Sequence, residues 1–113
     1  MNMTLTNIAR LAAIFAAALL AVPAHGADMN AGAAKAKEVC AACHGMDGNS
    51  SQPDYPKLAG QYADFMAKAL RDYKSGARKN PVMQGFAAGL SRQDIDNLAA
   101  YYAAQPSAVA TRR

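Results

Sequence analysis

The chain has 113 residues, 52% of them hydrophobic and 18% charged, with 12 Lys and Arg against 8 Asp and Glu and a formal charge of +4. That length allows one domain and excludes two. A mildly basic balance with no basic-aromatic pattern excludes a nucleic-acid binder.

The first element is a targeting segment, not part of the fold. Arg10 precedes an uninterrupted apolar run from Leu11 to Val22, and Ala24-His25-Gly26 supplies the small residues a signal peptidase accepts. A run of about 12 residues cannot cross a hydrocarbon core that needs roughly 20. Residues 1–26 are therefore expected to be a cleaved export signal, and residues 27–113 a periplasmic domain without stable membrane insertion. A domain this small has a marginal core, so a disulfide or a cofactor should supplement it.

The mature part has few β-branched residues (Val39, Val82, Ile95, Val109, Thr111) and many Ala and Leu, which predicts an all-α fold with no strand. A first helix is expected from Asn30, as N-cap, towards Cys40. It runs into Cys40-Ala41-Ala42-Cys43-His44. In an exported chain this C-x-x-C-H run is the attachment pattern of a c-type haem, because two thiols one helical turn apart can each add to a porphyrin vinyl group while the imidazole reaches the iron. The alternative is a redox dithiol or a plain disulfide. That motif normally sits in a βαβ context, and no strand is predicted. His44 is also the one histidine left once His25 departs with the signal, and zinc would need more ligands than remain.

Gly45–Gly60 reads as a long loop. A second helix is predicted over about Gln61–Ser75, with Tyr62, Phe65, Met66, Ala69, Leu70 and Tyr73 at helical spacing and Gly76 ending it. Gly76–Leu90 reads as a second long loop, and two such loops suggest that the chain wraps something other than protein. Ser91 then caps a third helix that presents Ile95, Leu98, Ala99 and Tyr102 before Pro106 stops it. Pro106–Arg113 is expected to be a loose end.

A haem held by one histidine has a second face, and methionine is the natural candidate for it. Met46 is too near His44, Met66 lies on the apolar stripe of the second helix, and Met29 is near the new terminus. Met83 sits in Asn80-Pro81-Val82-Met83-Gln84-Gly85, far enough along the chain to reach the far side. Pro81 would stiffen the approach, and Gly85 would allow close contact with a planar ligand. Packing of Met83 in the core, and an open iron face, stay as alternatives.

The order C-x-x-C-H, Pro56-Lys57-Leu58-Ala59-Gly60, Met83 and a terminal amphipathic helix resembles a class I c-type cytochrome. Within that class it is similar to the short bacterial cytochrome c-553 type and to single halves of the diheme carriers. The resemblance implies three main helices and long loops around one covalent haem c, with Cys40 and Cys43 as thioether residues and His44 and Met83 as axial iron ligands. It implies that Pro56 offers its carbonyl to His44 Nδ1 and that Leu58 packs on the haem. Gln61 would donate to a propionate, although an exposed helix-start role fits it equally. Gly32 would mark the crossing of the first and last helices, opposite Leu98 and Tyr101 or Tyr102.

An iron ligated by His and Met leaves no place for a substrate, so the expected function is single-electron transport, not catalysis. Redox partners such as a membrane oxidase, a cytochrome complex of the respiratory chain or a periplasmic dehydrogenase are implied, with the chain a monomer or weak dimer. A dedicated haem subunit and a ligand-binding haem protein are the other readings. Lys57, Lys68, Arg71, Lys74, Arg78 and Lys79 form a basic stretch that could steer docking, or an ordinary solvated helix face.

Overall fold

The computed structural model describes residues 26–108. The export signal expected at residues 1–26 thus lies, apart from Gly26, outside the described residues. Among these residues the fold is helical without strands: α1 (Met29–Val39), α2 (Ala41–His44), α3 (Ala63–Ser75), α4 (Pro81–Ala88) and α5 (Arg92–Ala103). No helix among them is long and apolar enough to cross a membrane.

The cap of helix α1 lies two residues before the predicted one. The Asp28 carboxylate accepts from Asn30 N at 2.9 Å and Ala31 N at 3.0 Å, so Asp28 is the N-cap and Asn30 is already helical. α3 starts at Ala63, after Gln61, and ends as expected at Gly76, whose φ of 84° is the left-handed stop. Ser91 and Asp94 form a reciprocal capping box at the start of α5.

The main correction is α4, in a stretch expected to be irregular. Asn80 Oδ1 accepts from Met83 N at 3.0 Å, and Pro81 occupies the first turn, where its missing N–H costs nothing. Cap and proline together start a helix. Gly85 falls inside it with open space where a side chain would be, and it does not line the cavity described below. Asn80→Ala should cost about 1 kcal/mol, the usual value of a lost side-chain cap; an unchanged denaturation midpoint would remove that role.

α1 and α5 cross tightly. A Cβ on Gly32 would stand 2.9 Å from the Asn97 carbonyl carbon and from Tyr101 Cβ, so the crossing admits only glycine without a shift, and Asn97 and Tyr101 are its partners. Asn97 is buried but satisfied, its Oδ1 accepting from Asp28 N and Gln93 Nε2, both at 2.8 Å. α3 packs on the other side of α5, and Ala36, Met66, Ala67, Leu90, Ile95, Leu98, Ala99 and Tyr102 form the buried core. α4 rests chiefly on α3.

The Gly45–Gly60 loop is tied back by its own backbone. Gly48 O accepts from Leu58 N at 2.8 Å and Ala59 N at 3.1 Å, while Gly60 N donates to Tyr102 O at 3.0 Å. The segment after Pro106 is less loose than its composition suggests, at least to Ala108. Asn49 Nδ2 donates to Pro106 O at 2.8 Å, and Asn49 Oδ1 accepts from Ala108 N at 2.6 Å.

Candidate functional site

The end of α1, the short α2, the Pro56 segment, α3 and α4 enclose an apolar cavity of about 300 Å³. Cys40, Cys43 and His44 line it at one end of the sequence, Pro56 and Leu58 in the middle, and Met83 from α4. The chain breaks its helix at Cys40 and starts again at Ala41, so α2 is one turn that carries Cys43 and His44 together.

His44 is buried, and its Nδ1 lies 2.8 Å from Pro56 O. With Nδ1 donating to that carbonyl, the ring is oriented and Nε2 is left as the nitrogen with a lone pair for a metal. Tyr55 packs edge-on to the imidazole, centroids 6.4 Å apart. The two thiols are free rather than bridged to one another. Burial pushes the Cys40 thiol up to about 11, only partly offset by its contact with Tyr102. A redox dithiol needs the opposite, a depressed thiol that is thiolate at neutral pH.

Two tyrosines of α5 hold the backbone beyond the imidazole. Tyr101 Oη donates to Met46 O at 2.8 Å and Tyr102 Oη to Gly45 O at 3.3 Å. Burial drives the Tyr102 phenol well above its ordinary value, which keeps it a donor.

Of the four mature methionines, Met29 and Met46 are exposed and outside the cavity. Met66 and Met83 both line it; Met66 is also part of the packed core, whereas Met83 is half-buried. Gln61 is not brought to the cavity, and its Oε1 accepts from Tyr62 N at 2.9 Å. Sequence reasoning missed Tyr55, Tyr73, Asn80 and Arg78 as lining residues. Tyr73 had a signal, since it stands on the stripe that includes Ala69 and Leu70; Arg78 had none beyond its charge.

The basic stretch is mostly committed. Lys57 donates to Ser50 O at 3.0 Å, Lys68 pairs with Asp72, Arg71 lies 3.8 Å from Asp96, and Lys74 donates to Leu90 O. Arg78 and Lys79 are the two members of the stretch without a carboxylate or carbonyl partner among the described residues.

This donor set fits the haem implied by the sequence. Two thiols one turn apart suit two vinyl additions, an imidazole with one nitrogen engaged suits an axial bond, and the walls are aliphatic or aromatic apart from a few polar groups.

Comparison with known proteins agrees. The family model described as cytochrome c matches residues 29–104. Cytochrome c4 of Pseudomonas aeruginosa is 49% identical over 87 residues, covering 76% of this chain and 43% of that protein. The thiosulfate dehydrogenase electron acceptor of Stutzerimonas stutzeri is 42% identical over 98 residues, covering 81% of this chain and 45% of its own length. The solved structure of reduced recombinant cytochrome c4 from Pseudomonas stutzeri superposes with a TM-score of 0.69 at 42% identity, covering 74% of this chain and 48% of that one. The chain therefore spans less than half the length of these relatives. Family match, sequence identity and shared fold agree that the chain belongs to the cytochrome c family, whose cofactor is covalently bound c-type haem.

Proposed function

We propose that the chain is a periplasmic electron-transfer cytochrome that takes single electrons from one redox protein and delivers them to another. In this reading residues 1–26 are removed on export and residues 27–113 form the haem domain. The observation that carries it is the convergence of Cys40, Cys43, His44 and Met83 on one apolar cavity.

When bound, haem supplies a one-electron iron couple. Cys40 and Cys43 hold the macrocycle through thioether links, so it is retained in either oxidation state. His44 Nε2 would hold the iron, with Pro56 O fixing the ring and raising its basicity through Nδ1. Met83 Sδ would be its second protein ligand, and thioether ligation favours the reduced state and raises the potential. Leu58, Leu70, Phe86 and Leu90 line the cavity and keep water from the metal. With two side chains as ligands, the iron would keep no coordination site for a substrate, and the chain would act as a carrier without turnover.

A dehydrogenase is the favoured class of electron donor. One relative bears the name thiosulfate dehydrogenase electron acceptor, and another is the cytochrome subunit of a sulfide dehydrogenase. The exposed Arg78 and Lys79 give such a partner a small positive area to meet, acting mainly on association rate.

The test is to purify the protein from a periplasmic fraction. The expected product has the mass of residues 27–113 plus one haem, low-spin spectra in both oxidation states, and no carbon monoxide binding when reduced at neutral pH. A colourless product with the mass of the bare chain would overturn the reading. Cys43→Ser should reduce covalently loaded protein to a small fraction of the wild-type yield; an undiminished yield would show that Cys43 forms no thioether.

A further inference from the structure

The apolar stripe of α3 is wider than what it covers. Met66, Ala69, Leu70 and Tyr73 line the cavity, and Met66 and Ala67 join the buried core. Tyr62 and Phe65 do neither. They stand three residues apart across the first turn of α3, a spacing that puts side chains on one face. Tyr62 is 80% exposed and Phe65 52%. The other exposed large apolar residues are accounted for: Tyr55, Val82 and Phe86 line the cavity and face whatever fills it, and Met29 and Met46 stand singly elsewhere. Single apolar residues on a surface are ordinary, but two adjacent aromatic rings form the kind of patch that binding faces show.

Size, position and charge point to one occupant. The cytochrome c4 of Pseudomonas aeruginosa and the thiosulfate dehydrogenase electron acceptor, of which this chain covers 43% and 45%, each carry more than as much chain again beyond the matched part. That is room for a second domain of the same size, which would share a face with the first. The segment leaving α5 lies on Gly60, where an added Cβ would stand 3.2 Å from Ser107 Cβ and 3.6 Å from Gln105 O. Chain that continues from α5 thus departs two residues from Tyr62, beside the patch. Exposed Asp64 and Lys68 flank Phe65, acid before and base after. Two copies of α3 laid antiparallel would set acid against base and rings against rings, a self-complementary face.

We propose that the face of α3 bearing Tyr62 and Phe65 docks a second copy of this chain. Two aromatic side chains supply about 150–250 Å² each at most. A stable interface takes about 800 Å² per partner. The dimer is therefore weak, forms at high concentration and dissociates on dilution.

The experiment is sedimentation velocity of the haem-loaded wild-type protein, Y62S, F65E and V82S from about 10 μM to about 1 mM. The wild-type mass should rise with concentration towards twice that of the monomer. F65E places a carboxylate from each copy in the middle of the face and should stay monomeric throughout. Y62S should raise the dissociation constant at least about tenfold. V82S, at the cavity on α4, should associate like wild type. Wild type that stays monomeric at the highest concentration would overturn the proposal and leave the face to a different partner. Association of undiminished strength in both F65E and Y62S would overturn it too. So would association lost in V82S and kept in F65E, which would move the contact to the mouth of the cavity. If F65E does not fold, Y62S decides: serine is a better N-cap than tyrosine, so α3 is not weakened, and an unchanged dissociation constant counts against the face. A colourless product would sink the functional reading above, whereas a haem-loaded protein that stays monomeric would sink the dimer alone.

Discussion

Met83→Ala is expected to leave the haem covalently attached while the reduction potential falls and the reduced iron begins to bind carbon monoxide. The two cysteines carry the attachment, so removing a side chain from α4 does not release the cofactor. What changes is the axial field. Axial-ligand identity spans ~0.8 V in haem proteins, and loss of a thioether should lower the potential by on the order of 0.2 V. Met66 also lines the cavity, so Met66→Leu is the necessary companion. It should cost packing stability but leave the potential and the low-spin spectrum nearly unchanged. The reverse pattern, a silent Met83→Ala and a spectrally altered Met66→Leu, would move the ligand to α3.

Gly48→Ala should be strongly destabilising, because both the backbone conformation and the space around it exclude a methyl. Gly48 has φ of 76°, where an L-residue costs about 1–2 kcal/mol. Its added Cβ would also stand 2.8 Å from Ala59 N and 2.8 Å from Tyr102 Cδ1. Neither neighbour can yield cheaply: Ala59 N is bonded to Gly48 O, and Tyr102 is almost wholly buried. Overpacking adds about 1–3 kcal/mol, for a total of about 3 kcal/mol. Chemical denaturation of the holoprotein would read this as a lower midpoint at constant slope. A loss below 1 kcal/mol would show that the loop moves aside. The effect bears on function because the same backbone group positions Leu58 against the cavity.

α1 was legible from its Ala-rich composition and a polar cap, one turn off in position at most, and the other helices read in advance had both a period and punctuation. α3 has its apolar stripe and Gly76, and α5 has Ser91, Asp94 and Pro106. α4 was missed because its eight residues are too short and too uniformly apolar to show a face. Its start signals, Asn80 and Pro81, equally suit a turn. At the site, Cys40, Cys43 and His44 were legible because their chemistry demands adjacency in sequence. The His44 to Pro56 hydrogen bond was implied only through the family resemblance, and the geometry contains it at 2.8 Å. Arg78 and Asn49 were not legible. What matters about Arg78 is a ring across the Gly76 turn, and what matters about Asn49 is a chain end 57 and 59 residues away.

The helix bearing Met83 packs chiefly on α3, whereas α1 and α3 are both braced on α5. Local opening draws on the least-braced element first, so the wall of the cavity that carries Met83 is the one that opens most readily. Heat or denaturant therefore reaches the redox property before it reaches the fold. Mutations in the α3–α4 contact become a means of adjusting how firmly Met83 is presented to the cavity, without disturbing the crossing that keeps the chain folded.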